Sequence, residues 1–222
     1  MAQRLICFDF DGVLVDSLPT VLDSLNEVAG EFSKSSPLDR DSIETLHDVT
    51  FPEAARAAGI APTEMEAFLE QFFKRLVAAA SDVPLFPGIS TLLRQLQQEF
   101  RLFIVSASPC AAINAVLKRE NLCEVFSNIY GADVPAPKAE KIRQIIQTEG
   151  ASAQSAVMIG DSGSDIRAAH QSGVASIAVT WGWQSESLLR AESPTVLVRT
   201  VEELDEMLNG RMLWHRLQGD SL

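Results

Sequence analysis

Residues 8–17 read FDFDGVLVDS and begin at the end of the apolar run Leu5-Ile6-Cys7-Phe8. This order predicts a short buried strand that ends by presenting two carboxylates, Asp9 and Asp11. In an extended chain these side chains fall on the same side, and their mutual repulsion needs a cation or a shared proton to offset it. The pattern therefore favours a divalent-metal site, and the alternative is a strand that simply ends in turn-forming Asp and Gly.

The composition limits the classes of partner. The chain has 222 residues, of which 46% are hydrophobic, which suffices for one large core with an insert. Its formal charge of −12 would repel a phosphate backbone, so we expect no nucleic acid as partner. No signal sequence or apolar run of about 18 residues is apparent, so we expect no membrane partner and a cytoplasmic protein, either monomer or homodimer.

Strand and helix patterns alternate along most of the chain. Short apolar segments rich in Val and Ile predict strands at 5–8, 102–106, 128–130, 156–159 and 175–179. Amphipathic patterns predict helices at 88–99, 109–120, 138–148 and 164–172. Such alternation is typical of an α/β fold with a doubly wound, mainly parallel sheet and helices on both faces.

One stretch breaks this alternation. Residues 18–84 contain helical patterns at 20–32 and 63–80 but no convincing strand. We interpret residues 17–84 as a small helical cap domain inserted into an α/β core made of residues 1–16 and 85–222. The insert would then lie over the strand end that carries Asp9 and Asp11.

The second strand ends in a serine-rich segment. Ser106-Ala107-Ser108 precedes Pro109, a residue that favours the first turn of a helix. Hydroxyls and free backbone N–H groups at this point suit a phosphate group. Ser108 could equally cap the helix, so Ser106 is the stronger candidate for phosphate binding.

A lysine opens the helix at 138–148. The helix dipole disfavours a positive charge at this end, so Lys138 predicts an anionic site close by. Lys141, one turn further on, is the alternative, but a solvated position on the helix face would explain it. We favour Lys138.

A second acidic pair follows the strand at 156–159. Asp161 and Asp165 lie in the segment GDSGSD, whose glycines allow close backbone approach. Asp165 alone could be a helix N-terminal carboxylate. Together with Asp9 and Asp11, the pair predicts the carboxylate-rich oxygen environment that Mg²⁺ takes with phosphate and water.

In their order and spacing these segments resemble the motifs of the haloacid dehalogenase superfamily, in its phosphatase branch. FDFDGVLVDS resembles the first motif, IVSAS the second, Lys138 the third and IGDSGSD the fourth. The helical insert resembles a cap of that family. The chain is most similar to the group that contains phosphoglycolate phosphatases and β-phosphoglucomutases.

The resemblance implies roles for the candidate residues. Asp9 would attack phosphorus to form an aspartyl-phosphate, Asp11 would carry the proton, and Ser106, Ala107 and Lys138 would bind the phosphate. The implied metal ligands are Asp9, Asp161 and Asp11, the last through its backbone carbonyl. Asp165 would orient Lys138 or a water molecule without itself contacting the metal or the phosphate.

We therefore expect an Mg²⁺-dependent phosphatase that acts on a small phosphorylated metabolite. A sugar-phosphate mutase and a catalytically inert binding module of the same fold remain alternatives. An acid at position 11 argues against dehalogenation, which has no leaving alcohol to protonate. Substrate specificity would lie in cap loops at 18–26 and 45–55, which have no diagnostic pattern.

Several residues receive ordinary structural interpretations. The cap arginines Arg40, Arg56 and Arg75 could bind a substrate anion but are interpreted as solvated helix surface. Trp181 and Trp183 could line the site but are assigned to aromatic packing. The three cysteines are interpreted as buried thiols.

Overall fold

The computed structural model of the chain describes residues 3–33, 37–210 and 214. Six parallel strands form one sheet in the order β3-β2-β1-β4-β5-β6. The strands are β1 Leu5–Phe8, β2 Arg101–Val105, β3 Phe126–Tyr130, β4 Ala156–Gly160, β5 Ala175–Val179 and β6 Val196–Val198. The helices are α1 Leu18–Glu31, α2 Arg40–Glu44, α3 Phe51–Ala57, α4 Met65–Ala79, α5 Ile89–Leu96, α6 Cys110–Arg119, α7 Lys138–Thr148, α8 Gly163–Ser172, α9 Glu186–Ala191 and α10 Val201–Asn209.

The register of the central strands brings the predicted site segments to one edge. Phe8, the last residue of β1, pairs with Ile104 of β2 on one side and with Ile159 of β4 on the other. The parallel strands therefore end at nearly the same level, and the chain segments that follow them meet there. The predicted α/β fold with a doubly wound parallel sheet is confirmed.

Helices α1–α4, the helical insert, share an apolar cluster of their own. Leu25 of α1 and Phe68 and Phe72 of α4 are fully buried in it, apart from the larger cluster around the sheet. The two chain segments that connect the insert to the sheet run side by side, since Asp16 N–H donates to the Pro84 carbonyl at 3.0 Å. The division into domains at 16/17 and 84/85 stays a prediction.

The insert differs in detail from the expected loops. Residues 18–26 belong to α1, so their interpretation as a loop is wrong. The segment 45–55 is irregular only as far as Thr50, which caps α3 by accepting a hydrogen bond from the backbone N–H of Glu53. Within the described residues, no helix is long and apolar enough to cross a membrane, and the cytoplasmic location stays a prediction.

The structure also gives the burial of the three cysteines and of one residue in the C-terminal segment, Trp214. Cys7 is buried, Cys110 is half-buried and Cys123 is exposed, so the interpretation as buried thiols is wrong for Cys123. Trp214 is buried against Phe100, with ring centroids 5.6 Å apart. Residues 211–213 and 215–222 lie outside the described residues.

Candidate active site

Asp9 stands at the C-terminal end of β1 with both carboxylate oxygens engaged. Its Oδ1 accepts a hydrogen bond of 2.7 Å from the backbone N–H of Phe10, and its Oδ2 lies 2.6 Å from Nζ of Lys138. Only 8% of the residue is exposed. Burial raises the pKa of Asp9 to about 7, against the lowering effect of the Lys138 charge. A fixed, desolvated carboxylate at a strand end is suited to act on a bound ligand.

Lys138 connects two acidic residues across the site. Its Nζ donates to Asp9 at 2.6 Å and to Oδ1 of Asp165 at 2.5 Å. Burial alone would lower the pKa of Lys138, but the carboxylates of Asp165 and Asp9 raise it above its ordinary value. Lys138 is therefore a permanent cation within the site.

Lys141 lies behind the site. Its buried Nζ donates to the carbonyls of Gly131 at 2.7 Å, Ser106 at 3.3 Å and Tyr130 at 3.4 Å. Burial lowers the pKa of Lys141, and the charge of Lys138 lowers it further. Lys141 therefore supports the backbone of the segments that follow β2 and β3, and it is not the solvated residue that its helix position suggested.

Asp161 lies between two glycines that are distant in sequence. A Cβ atom on Gly12 would stand 2.0 Å from its Oδ2, and one on Gly182 would stand 2.3 Å from the same atom. The backbone N–H of Trp183 donates to this oxygen at 2.7 Å. Burial raises the pKa of Asp161 well above its ordinary value, and the charges of Asp165 and Asp9 add to the effect. Gly12, whose φ is +72°, is therefore required both for its backbone conformation and for space.

Asp165 is held from both sides. Its Oδ2 accepts hydrogen bonds from the hydroxyl of Ser162 at 2.6 Å and from the backbone N–H of Ser162 at 3.2 Å, while Oδ1 binds Lys138. The residue is fully buried at the start of α8. It thus both caps this helix and fixes the ammonium group of Lys138.

The three buried carboxylates form a compact acidic cluster. Asp9, Asp161 and Asp165 each offer an oxygen, and these oxygens lie within 4.8 Å of one another. Among the described residues, Lys138 is the only cation that contacts the cluster, so one positive charge serves three buried carboxyl groups. A hard divalent cation would stabilise the ionised form of these carboxyl groups, and the oxygen donor set fits Mg²⁺.

Asp11 lies outside this cluster. Its Oδ2 accepts a hydrogen bond of 2.5 Å from the Ser108 hydroxyl, and the backbone N–H of Ser108 donates to Oγ of Ser106 at 3.0 Å. Burial raises the pKa of Asp11, and the hydrogen bond from Ser108 opposes the rise. The structure thus separates the two aspartates of the first motif, with Asp9 in the acidic cluster and Asp11 facing the serines that follow β2.

Two adjoining cavities connect this arrangement to the helical insert. The smaller, of about 20 Å³, is bounded by Asp9, Asp11, Lys138, Asp161 and Trp183, among others. The larger, of about 510 Å³, extends from Ser106, Ala107 and Lys138 towards α3 and α4. The site therefore leaves little free volume beside the carboxylates and a much larger free volume in the adjoining cavity.

Sequence reasoning missed the contribution of the segment after β5. Trp183 packs into the apolar cluster of the helical insert, and its buried indole N–H has no hydrogen-bond partner within the described part of the chain. Gln184 accepts from the backbone N–H of Gly163 at 2.7 Å and donates to the carbonyls of Leu46 at 3.0 Å and Glu44 at 3.2 Å. The available signal was Gly182 between two tryptophans in WGWQ, a position where a missing side chain suggests close approach.

Ser108 was also misjudged. The cap position of α6 is occupied by Pro109, and Ser108 makes no capping hydrogen bond there but binds Asp11 instead. Ser106 and Ala107 lie at the boundary of both cavities, where their role in phosphate binding stays a prediction.

Comparison with known proteins agrees with this fold. The family model described as haloacid dehalogenase-like hydrolase matches residues 6–179. A phosphoglycolate phosphatase from Synechococcus elongatus is 33% identical over 203 residues, which cover 91% of this chain and 95% of the relative. A probable phosphatase, IndB, from Dickeya dadantii is 29% identical, with coverage of 91% and 92%.

Solved structures agree on the fold. A haloacid dehalogenase-like family protein from Streptococcus pneumoniae superposes with a TM-score of 0.80 at 24% identity, covering 93% of this chain and 99% of the other. A predicted phosphatase from Clostridium acetobutylicum gives a TM-score of 0.83 at 22% identity, with coverage of 94% and 99%.

The chain belongs to the haloacid dehalogenase-like hydrolases. Within them it is a phosphoglycolate-phosphatase-like enzyme, a hydrolase of the type that acts on phosphoric monoesters.

Proposed function

We propose that this protein is an Mg²⁺-dependent phosphatase that hydrolyses a small phosphorylated metabolite through an aspartyl-phosphate on Asp9. The observation that carries the proposal is the separation of Asp9 from Asp11. Asp9 belongs to a buried acidic cluster with one bound cation, Lys138, whereas Asp11 is oriented by Ser108. A nucleophile and a proton carrier need such different surroundings.

The metal would be held by Asp9, Asp161 and the backbone carbonyl of Asp11. When bound, it would supply positive charge to the phosphoryl oxygens. Asp165 has both oxygens engaged by Ser162 and Lys138, which supports its assignment as the residue that positions Lys138.

The chain's own residues would carry the two chemical steps. Asp9 attacks phosphorus while Asp11 protonates the departing alcohol, and Asp11 then accepts a proton from the water that hydrolyses the aspartyl-phosphate. Lys138, the Ser106 hydroxyl and the Ala107 backbone N–H would neutralise charge on the phosphoryl oxygens. The raised pKa of Asp11 suits a carboxyl group that must hold a proton part of the time.

The test is release of phosphate from p-nitrophenyl phosphate with Mg²⁺, with chelator, and by Asp9→Asn with Mg²⁺. We expect turnover only with Mg²⁺ and a loss of at least about 10³-fold in Asp9→Asn, since that variant lacks the nucleophile. Asp205→Asn, the same change on α10, should retain full activity. Calorimetric titration with Mg²⁺ checks binding apart from activity.

The same assay bears on the alternatives. Turnover that persists in Asp9→Asn would exclude the aspartyl-phosphate route. A folded, metal-binding protein that neither hydrolyses this ester nor converts β-glucose 1-phosphate would be the inert binding module. Conversion of β-glucose 1-phosphate without phosphate release would instead mark a mutase.

A further inference from the structure

The larger cavity is placed to receive the alcohol portion of the substrate. It begins at the candidate phosphate-binding residues Ser106, Ala107 and Lys138, and it shares Val49 and Phe51 with the smaller cavity over the carboxylates. A phosphoryl group at Asp9 would therefore carry its ester substituent towards about 510 Å³ of space. This volume is typical of a small-molecule pocket.

The walls of this cavity are mainly apolar. The helical insert contributes Val49, Phe51, Leu69 and Phe73, and Phe51 and Phe73 are in edge contact at a centroid distance of 5.9 Å. A further part of the wall is the segment 134–137, which reads Val-Pro-Ala-Pro. Two prolines remove two backbone N–H donors from this wall.

Every described cation that lines the cavity is already engaged. Lys138 binds Asp9 and Asp165, and Lys141 donates to three backbone carbonyls. Arg167 forms ion pairs with Asp48 and Glu192 and donates to the His47 carbonyl at 3.0 Å. Lys138 is moreover needed for the phosphoryl group, so the lining offers no spare positive charge to a second anion.

The arginines of the helical insert do not supply a positive charge for a second anion either. None of them lines the described cavity. Arg56 pairs with Glu53, Arg75 with Glu27 and Glu31, and Arg40 donates to the Gly182 carbonyl at 3.5 Å.

The polarity of this lining discriminates between classes of phosphate ester. A carboxylate on the alcohol would lose its hydration against apolar walls without gaining a cation. An uncharged hydrocarbon group would instead gain by leaving water. An aromatic group would also find ring partners in Phe51 and Phe73.

We infer that this enzyme takes phosphate monoesters of uncharged, largely apolar alcohols in preference to esters of hydroxy acids such as phosphoglycolate. The inference rests on the proposed phosphatase function. In the reaction the bond from the Asp9 carboxylate to phosphorus forms as the bond from phosphorus to the ester oxygen breaks, and the alcohol leaves with the proton from Asp11. Water then attacks phosphorus and gives one proton to Asp11 as the bond to Asp9 breaks, so that the water oxygen and its other proton leave in inorganic phosphate.

The test compares esters of matched reactivity. Benzyl phosphate and 4-carboxybenzyl phosphate share the reacting centre and differ in one charge, and 2-phosphoglycolate is also an ester of a primary alcohol. We expect kcat/KM for benzyl phosphate to exceed the value for each carboxylated ester by at least about tenfold, one carboxylate desolvation being of this order or larger. Equal or higher kcat/KM for 2-phosphoglycolate would overturn the inference while leaving the phosphatase proposal intact. Absence of turnover on all three esters, and on p-nitrophenyl phosphate, would overturn both.

A charge introduced into the lining provides the second arm. Val49→Arg should shift the ratio of kcat/KM towards the carboxylated esters by about tenfold, because one added ion pair supplies the missing partner. Val77→Arg, the same change on the exposed face of α4, should leave the ratio unchanged. A ratio that does not move in a folded Val49→Arg protein contradicts the assignment of this cavity to the alcohol.

Discussion

The Ser108 hydroxyl donates a hydrogen bond of 2.5 Å to Oδ2 of Asp11, which joins the segment after β2 to the segment after β1. Ser108→Ala removes the donor that fixes this carboxyl group. We expect kcat to fall about tenfold with little change in KM, because proton transfer depends on the position of Asp11 while phosphate binding does not. Steady-state kinetics measure both constants. An unchanged kcat in a protein of normal melting temperature would show that Ser108 does not position Asp11 for proton transfer.

Gly12 tests the packing around Asp161. Gly12→Ala would place a methyl group 2.0 Å from Oδ2 of Asp161 at a φ of +72°. We expect near-complete loss of activity and a fall of at least about 2 kcal/mol in the free energy of unfolding, since both strain and overlap oppose the native state. Denaturant unfolding and phosphate release measure the two effects.

The matched control for this change is Gly30→Ala in α1. Among the described residues, no atom beyond the chain neighbours and the backbone of α1 itself lies within 4 Å of the position of the new Cβ atom. Alanine there should raise the free energy of unfolding by about 0.5–1 kcal/mol and leave activity intact. If Gly12→Ala behaved like Gly30→Ala, the close approach of Gly12 to Asp161 would be refuted.

Substitutions of the two lysines of α7 should have different effects, on kcat for Lys138 and mainly on stability for Lys141. Lys138→Met leaves Asp9 and Asp165 without their shared cation, and we expect a loss of at least about 10³-fold in kcat because transition-state charge is no longer neutralised. Lys141→Met removes the side-chain hydrogen bonds to three carbonyls, of which those of Tyr130 and Gly131 keep a backbone N–H donor. It should cost about 1–3 kcal/mol of stability but only about tenfold in kcat. A larger loss of kcat in Lys141→Met than in Lys138→Met would exchange the assigned roles.

Gln184 ties the start of α8 to the helical insert. Gln184→Met keeps the length of the side chain but loses the hydrogen bonds to Gly163, Glu44 and Leu46. We expect KM to rise several-fold and proteolysis in the segment 45–50 to accelerate, because this segment lines the cavity and loses its anchor. Gln147→Met on the exposed face of α7 is the control, and identical digestion of the two variants would show that Gln184 anchors nothing.

The sequence predicted those parts of the site whose signal is local. Asp9 and Asp161 follow apolar strands directly, and the ends of parallel strands must meet, so their proximity needed no coordinates. Lys138 was identified because a cation at a helix start is unfavourable without an anion. The strand β6 escaped detection since three residues at the sheet edge carry too short a pattern to recognise.

The missing parts depend on long-range approach. Ser108 had a satisfactory local explanation as a cap, and only the folded chain brings its hydroxyl to Asp11. Gln184 contacts backbone atoms about 140 positions earlier in the chain, and hydrogen bonds to carbonyls leave no trace in the identity of the acceptor residues. The apolar character of the larger cavity likewise arises because residues 49–51 and 134–137 line it together, and neither segment alone has a pattern that indicates a cavity.

Trp183 contacts both the helical insert and the acidic cluster. Its ring is embedded among the side chains of the helical insert, while its backbone N–H holds Oδ2 of Asp161 at 2.7 Å. A movement of the insert away from the sheet must therefore either expose this ring or pull on the carboxylate. If Asp161 binds a cation as proposed, its affinity for that cation is coupled to the position of the insert relative to the sheet, and reciprocity requires that each bias the other by the same free energy.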